Sequence, residues 1–433
     1  MYIQKAEIEN IRSIDNFEIE FKNPAGWHVL IGDNGAGKST IIRSIALALV
    51  ENEANGLRAN WDNWIKKDNR VAKIRLNACR DLEFDKGNHF ATAPSSLGYL
   101  PNAEKLEDIF YEVWLRKDTG ISTRKLFDFP EAYYSWHVDS GFFSVAFGPY
   151  RRFEGGNEEW EKVFKNPGYV NLAAHLSVFG EDVALTESIS WLKNLNYKTL
   201  EKDEGSQHTL ENLKKLINSE DFLPHNAQLE SVSSDGVFFR DGNDTIISVN
   251  QMSDGYRSIL SMTFELIRQL VRVYGSEAVF KNIEKGEMFI DLPGVVLVDE
   301  IDAHLHPTWQ TRIGQWFLNY FPKLQFIVTT HSPLVCRAAE KGSIWRLAAP
   351  GSDEKSSEIT GLDRERLIYG NVLDAYGTEV FGTNVTISEE SVKKQETMVK
   401  LSKKKMLDDI SPDEEKELKD LRNIFKTDDS IEL

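Results

Sequence analysis

Residues 2–9 and 17–21 alternate apolar and polar side chains, the period-two pattern of half-buried strands. The run Trp27 to Ile31 is continuously apolar instead, which suits a short strand buried on both faces. Residues 40–50, TIIRSIALALV, then follow a helix pattern. Residues 51–140 are irregular, with strand-like pieces at 70–77 and 109–116. Tryptophans at 61, 64, 114 and 136 predict a packed insertion there, because large aromatics favour burial. Residues 142–153, FFSVAFGPYRRF, read as a strand running into a Gly-Pro turn and the pair Arg151-Arg152. Such a pair can meet a phosphate or a partner, although surface arginines more often only solvate. Residues 181–195 predict an amphipathic helix, 200–228 a polar boundary, and 229–249 a hairpin with Asp-Gly turn signals. A long helix pattern runs to about Tyr274.

Two further apolar runs, 294–298 and 325–331, are suited to central strands. Trp309, Ile313, Trp316, Phe317 and Tyr320 mark a helix between them, and 343–348 reads as an edge strand. Residues 388–426 are heavily charged helices. Ser411-Pro412-Asp413-Glu414 has the form of an N-cap, a first-turn proline and a capping-box acid. Leu418, Leu421, Ile424 and Phe425 form a narrow stripe that is either a solvated terminal face or a docking element for a partner. These shifts divide the chain into 1–55, an insertion over 56–228, a second lobe over 229–350 and a helical tail over 351–433.

With 433 residues, 41% of them hydrophobic, the chain can bury a sizeable core. A formal net charge of −17 argues against a surface built as a whole for nucleic acid, although a local basic groove is compatible with it. Two cysteines exclude a disulfide framework, and no apolar stretch is long enough to cross a bilayer. The expectation is a soluble cytoplasmic protein.

Chemistry enters at Gly32–Ser39, which matches the phosphate loop G-x-x-x-x-G-K-[ST] at every fixed position, between a strand and a helix. Gly32, Asp33, Asn34, Gly35, Ala36, Gly37, Lys38, Ser39 and Thr40 are therefore candidate nucleotide contacts. Backbone N–H groups and a helix N-terminus face phosphate oxygens in this arrangement. Lys38 supplies a cation, and the Ser39 hydroxyl is a candidate Mg²⁺ ligand. Asp299, emerging from the apolar strand 294–298, is a second candidate Mg²⁺ ligand, and Glu300 a candidate for polarising the attacking water. His304 and His306 have too few neighbours of the right type to read as a metal site.

Residues 250–258, NQMSDGYRS, resemble the signature motif of ABC-type ATPases, with Ser253 and Gly255 where that family has them, and Met252 and Asp254 as departures. The order of phosphate loop, long insertion, signature and double acid extends the resemblance to about residue 350. Within that class MSDGYRS, VDEIDAHLHP and TTHSP are similar to RecF-like ATPases of bacterial anti-phage defence, including those of Septu and PARIS systems and the ATPase half of OLD proteins. The resemblance implies an α/β fold: an ABC-type P-loop ATPase head with a mostly parallel core sheet, an N-terminal antiparallel β part, a mixed insertion and a helical C-terminal tail. It implies ATP and Mg²⁺ as cofactors, and a head-to-head dimer in which Ser253, Asp254 and Gly255 of one chain meet the nucleotide of the other. Residues 302–307 would be the loop crossing that interface. It also implies His331 as a γ-phosphate sensor beside Lys38 and Glu300, and Arg12 and Ser13 as contacts near the nucleotide.

No heptad repeat accompanies these motifs, so the long arms of SMC-type proteins are not expected. After the last core strand about eighty residues remain, too few for a Toprim nuclease domain with its linker. Nuclease chemistry is thus expected on a separate effector chain. DNA stays open as a further partner, through a RecF-like repair role, and a transporter subunit is the weaker alternative. No membrane partner is expected.

Overall fold

A computed structural model describes residues 1–57, 59–90, 108–127, 135–151, 160, 163, 166–180, 186–352, 354–371, 389–406 and 410–424. Chain contacts separate two compact units, Met1–Tyr369 and Gly370–Leu433. In the first unit the strands are β1 (Tyr2–Ile11), β2 (Ile14–Glu20), β3 (Gly26–Ile31), β4 (Val71–Cys79), β5 (Lys86–Phe90), β6 (Asp108–Arg116), β7 (Gly120–Phe127), β8 (Ser135–Ser140) and β9 (Ser144–Phe147). They continue with β10 (Gln228–Ser233), β11 (Gly236–Arg240), β12 (Ile246–Ser248), β13 (Gly294–Val298), β14 (Leu324–Thr330), β15 (Gly342–Arg346) and β16 (Ser357–Glu358).

The core sheet has the order β16-β15-β3-β14-β13-β9. Every neighbouring pair is parallel except β15 with β16. Every residue of β3, β13 and β14 is buried, as expected of parallel strands covered on both faces. The predicted edge strand over 343–348 is internal, because the short β16 pairs beyond it. Strands β2-β1-β4-β6-β7 form a second, antiparallel sheet, so pieces of the irregular stretch extend the N-terminal hairpin. The helix Lys38–Leu49 is buried nearly all round, as a helix enclosed by other elements must be. Gln325 on β14 stitches the sheets together: its Oε1 accepts from Ile3 N at 2.7 Å and its Nε2 donates to Ile3 O at 2.8 Å.

Trp64 is buried and packs edge-on against Trp61, whereas Trp114 lies on the sheet surface with the Lys73 ammonium 4.5 Å from its ring centre. The side chain of Trp136, and Arg152 and Phe153, lie outside the described residues. The stretch predicted as a polar boundary holds a helix, Glu204–Ile217. Its KDEGSQ start is a cap, with Asp203 accepting from Ser206 N, and Thr209, Leu213 and Leu216 bury one face. The hairpin over 229–249 is the three-stranded sheet β10-β11-β12. Among the described residues no helix is long and apolar enough to cross a membrane.

The second unit contains the helices Glu389–Met406 and Pro412–Ile424. The capping box read from the sequence is formed: Glu414 N donates to Ser411 Oγ at 3.3 Å, and Ser411 N to Glu414 Oε2 at 2.9 Å. Two of the four stripe residues are covered inside this unit, and the side chain of Ile424 lies outside the described residues. Leu418 and Leu421 are buried against Leu401 of the preceding helix, with Met398 and Ile410 alongside; Phe425 lies outside the described residues. The sequence pattern cannot reveal this because the covering residues come from a neighbouring helix. Leu418→Ala should cost this hairpin about 2–5 kcal/mol. Hydrogen exchange should then accelerate in both tail helices and not in β3, β13 or β14; unchanged tail protection would remove Leu418 from the hairpin core.

Candidate functional site

The loops that follow β3, β9, β13 and β14 emerge at one edge of the core sheet, because these strands run parallel. After β3 the chain turns through Asp33–Ala36 and enters the helix at Lys38, with Ala36 N donating to Asp33 O at 3.1 Å. Gly37 is left-handed, with φ +96°, and an added Cβ would sit 3.2 Å from Ile14 Cγ1. Only glycine meets both conditions without strain. Lys38 lies across its own loop, Nζ donating to Gly32 O at 2.7 Å and Asp33 O at 3.0 Å. Burial lowers its pKa, opposed by the negative field of Glu300, Asp299, Asp33 and Asp302. The result is a cation held by the carbonyls of its own loop.

The two candidate metal ligands are brought together across 260 residues of sequence, Ser39 Oγ donating to Asp299 Oδ1 at 3.0 Å. Thr329, from β14, donates to the same oxygen at 2.6 Å and accepts from Glu300 N at 2.7 Å. This hydroxyl therefore bonds both members of the acid pair. A buried carboxylate beside a hydroxyl is a hard oxygen set, which suits Mg²⁺ bound with water and phosphate completing its shell. Among the described residues no group of three or more His, Cys, Asp or Glu could hold a metal unaided.

Glu300 has φ 50°, in the left-handed region that costs a non-glycine residue energy. His331, the first residue after β14, is exposed at the same sheet edge. Ser332 next to it caps the short helix Pro333–Lys341 by accepting from Leu334 N at 3.3 Å. The Asn10–Ser13 turn flanks the phosphate loop: Ser13 Oγ is 3.6 Å from where a Gly37 Cβ would be. The Arg12 guanidinium lies 4.7 Å from the ring centre of Trp64, and its pKa is lowered by burial and then by Arg43.

Ser253, Asp254 and Gly255 form a separate group at the start of the helix Asp254–Tyr274. Ser253 occupies the N-cap position without a side-chain capping bond, and it is exposed. Asp254 pairs with Arg257. A Cβ on Gly255 would lie 3.1 Å from His304 O, so the missing side chain lets the 302–306 loop approach. His306 caps the next helix, its Nδ1 2.9 Å from Thr308 Oγ1.

Arg151 is where sequence reasoning missed its target. It is buried, and it donates to the backbone carbonyls of Asp299, Glu300 and Ile301. The only sequence signal was its place after an apolar strand and a Gly-Pro turn.

A phosphate loop, a paired hydroxyl and carboxylate, and an adjacent acid at one edge of a parallel sheet define an α/β P-loop ATPase head. The chain belongs to the family described as "AAA domain, putative AbiEii toxin, Type IV TA system", whose model matches residues 115–337. Residues 1–100 match the "AAA ATPase domain" family. The Septu protein PtuA of Bacillus mycoides is 26% identical over 408 residues, covering 87% of this chain and 45% of that protein. The retron Ec83 probable ATPase of Escherichia coli is 25% identical over 398 residues, covering 78% of this chain and 70% of its own. The chain thus spans less than half the length of the first relative. Among solved structures, an SMC head bound to the C-terminal winged-helix domain of ScpA matches 84% of this chain and 100% of its own, at 16% identity and a TM-score of 0.45.

Proposed function

We propose that the chain binds and hydrolyses ATP with Mg²⁺, closes head to head on a second copy around the nucleotide, and serves as the sensor or regulatory subunit of an anti-phage defence complex. In this reading the effector, a nuclease, is a separate chain. The observation that carries it is the convergence of the phosphate loop, the Ser39–Asp299 pair and Glu300 at one sheet edge. The relatives named for Septu and retron defence support the biological setting.

In the chemistry proposed, Lys38 and the loop amides hold the β- and γ-phosphates. Ser39 and Asp299 would hold Mg²⁺, whose role is to neutralise charge on the transferred phosphoryl group. Glu300 orients a water toward the γ-phosphorus and polarises it, giving ADP and phosphate. His331 would donate a hydrogen bond to the γ-phosphate. Arg12 and Ser13 would lie beside the same nucleotide, and Ser253, Asp254 and Gly255 would face the nucleotide held by a second copy.

Lys38→Ala should weaken Mg-ATP binding about 10- to 100-fold, the value of a charge-assisted contact. Calorimetric titration measures this, and plaque assays on cells carrying the whole defence locus should show protection lost with it. Parental affinity in the variant would remove the phosphate loop from nucleotide binding.

A further inference from the structure

Arg151 spends its whole hydrogen-bonding capacity inside the protein. Nε donates to Ser258 Oγ at 2.9 Å, Nη1 to Gly148 O at 3.0 Å and Asp299 O at 2.9 Å, and Nη2 to Glu300 O at 2.9 Å and Ile301 O at 3.3 Å. That is one acceptor for each of the five N–H groups of a guanidinium. The side chain is 4% exposed. Burial pushes its pKa down to about 10, against the field of Asp302, Asp299 and Glu300, so it stays a cation at neutral pH.

Its acceptors belong to three elements. Gly148 follows β9, residues 299–301 follow β13, and Ser258 is in the second turn of the helix that starts at the signature motif. The left-handed Glu300 curls the backbone so that three successive carbonyls converge on one guanidinium. Converging carbonyl dipoles repel one another, and a cation at their focus offsets that repulsion. Glu300 is therefore held in a strained backbone conformation from two sides, by Thr329 at its N–H and by Arg151 at its carbonyl.

We propose that Arg151 is a positioning residue that ties the signature helix to the turn bearing Glu300, so that the seat of Ser258 sets the aim of the catalytic carboxylate. This rests on the reading of Glu300 as the residue that polarises the attacking water. A shift of the signature helix would move Ser258, tilt the guanidinium and displace the 299–301 carbonyls. Signature and acid turn would thereby act as one mechanical unit within a single chain. Nucleotide held by the phosphate loop would feel Arg151 only through the backbone carbonyl of Asp299, whose carboxylate is held separately by Ser39 and Thr329.

Steady-state kinetics of Arg151→Lys and Ser258→Ala, with ATP affinity measured separately, test this in the full chain. A lysine keeps the charge but has no planar fork with which to span three carbonyls and a hydroxyl. Arg151→Lys should lower kcat about 10- to 100-fold, the loss expected from a misplacement of about 1 Å, while ATP affinity stays within about threefold of the parent. Ser258→Ala should lower kcat a few fold, and the double variant should be no slower than Arg151→Lys, because both act through one guanidinium. A merely structural role would lower affinity and kcat together. Parental kcat in Arg151→Lys, additive losses in the double variant, or joint loss of affinity and kcat would each overturn the proposal. If Arg151→Lys does not fold, parental kcat in Ser258→Ala overturns it alone. Glu300→Gln separates the two readings: full hydrolysis there removes the role of Glu300 itself, whereas an inactive Glu300→Gln with a fully active Arg151→Lys removes only the coupling.

Discussion

Replacing Glu300 with glutamine should reduce ATP hydrolysis about 10²- to 10⁴-fold, the range supplied by a positioned general base, while leaving Mg-ATP binding close to the parent. The phosphate cradle and the acid come from different elements. Lys38 and the loop amides follow β3, and Glu300 follows β13. Glutamine keeps the size of glutamate, and the turn is held through the Glu300 backbone, its N–H donating to Thr329 and its carbonyl accepting from Arg151. The turn should therefore survive, and only the proton acceptor is lost. Phosphate release under single-turnover conditions, beside a binding titration, checks this. Hydrolysis at the parental rate would show that Glu300 does not polarise the water.

The same variant, saturated with ATP, should sediment as a dimer, and adding Ser253→Arg should return it to monomer. Ser253 is exposed at a helix start, and its hydroxyl is not engaged in capping. Gly255 lets the 302–306 loop approach the signature turn, so both would face a second copy in the proposed dimer. Helix N-termini favour phosphate, and nucleotide shared between two faces would act as a linker whose hydrolysis releases them. An arginine at 253 would fill the space that the γ-phosphate of the second copy should occupy. An ATP-dependent dimer that persists in the double variant would sink the composite site.

Much of this arrangement was legible because its signals are local. A continuous apolar run, a glycine-rich loop and a helix pattern identified β3, the phosphate loop and the helix after it within two residues of their observed limits. The same holds for β13 with its acids, and the signature helix ends at Tyr274 as expected. Other features were hidden where local signals mislead. The charged start of Glu204–Ile217 looked like a boundary because a cap and a linker share residue types. The strand over 343–348 looked like an edge because edge and internal positions are distinguished by β16, which lies beyond a turn.

The sequence by itself singled out the residues proposed to carry the chemistry: the phosphate loop with Lys38, candidate oxygen ligands at Ser39 and Asp299, and a candidate acid at Glu300. Each of those assignments depends on residue type and spacing within one short segment. Only the tertiary structure decided what those segments do to one another. It set Ser39 against Asp299, gave Thr329 to both acids, covered Leu418 with Leu401, and buried Arg151 among the carbonyls of the acid turn. The physical reason is that such contacts join elements far apart in the chain. A hydrogen-bond donor carries no mark in the sequence of the acceptor it will find, and an apolar stripe carries none of the surface that will cover it.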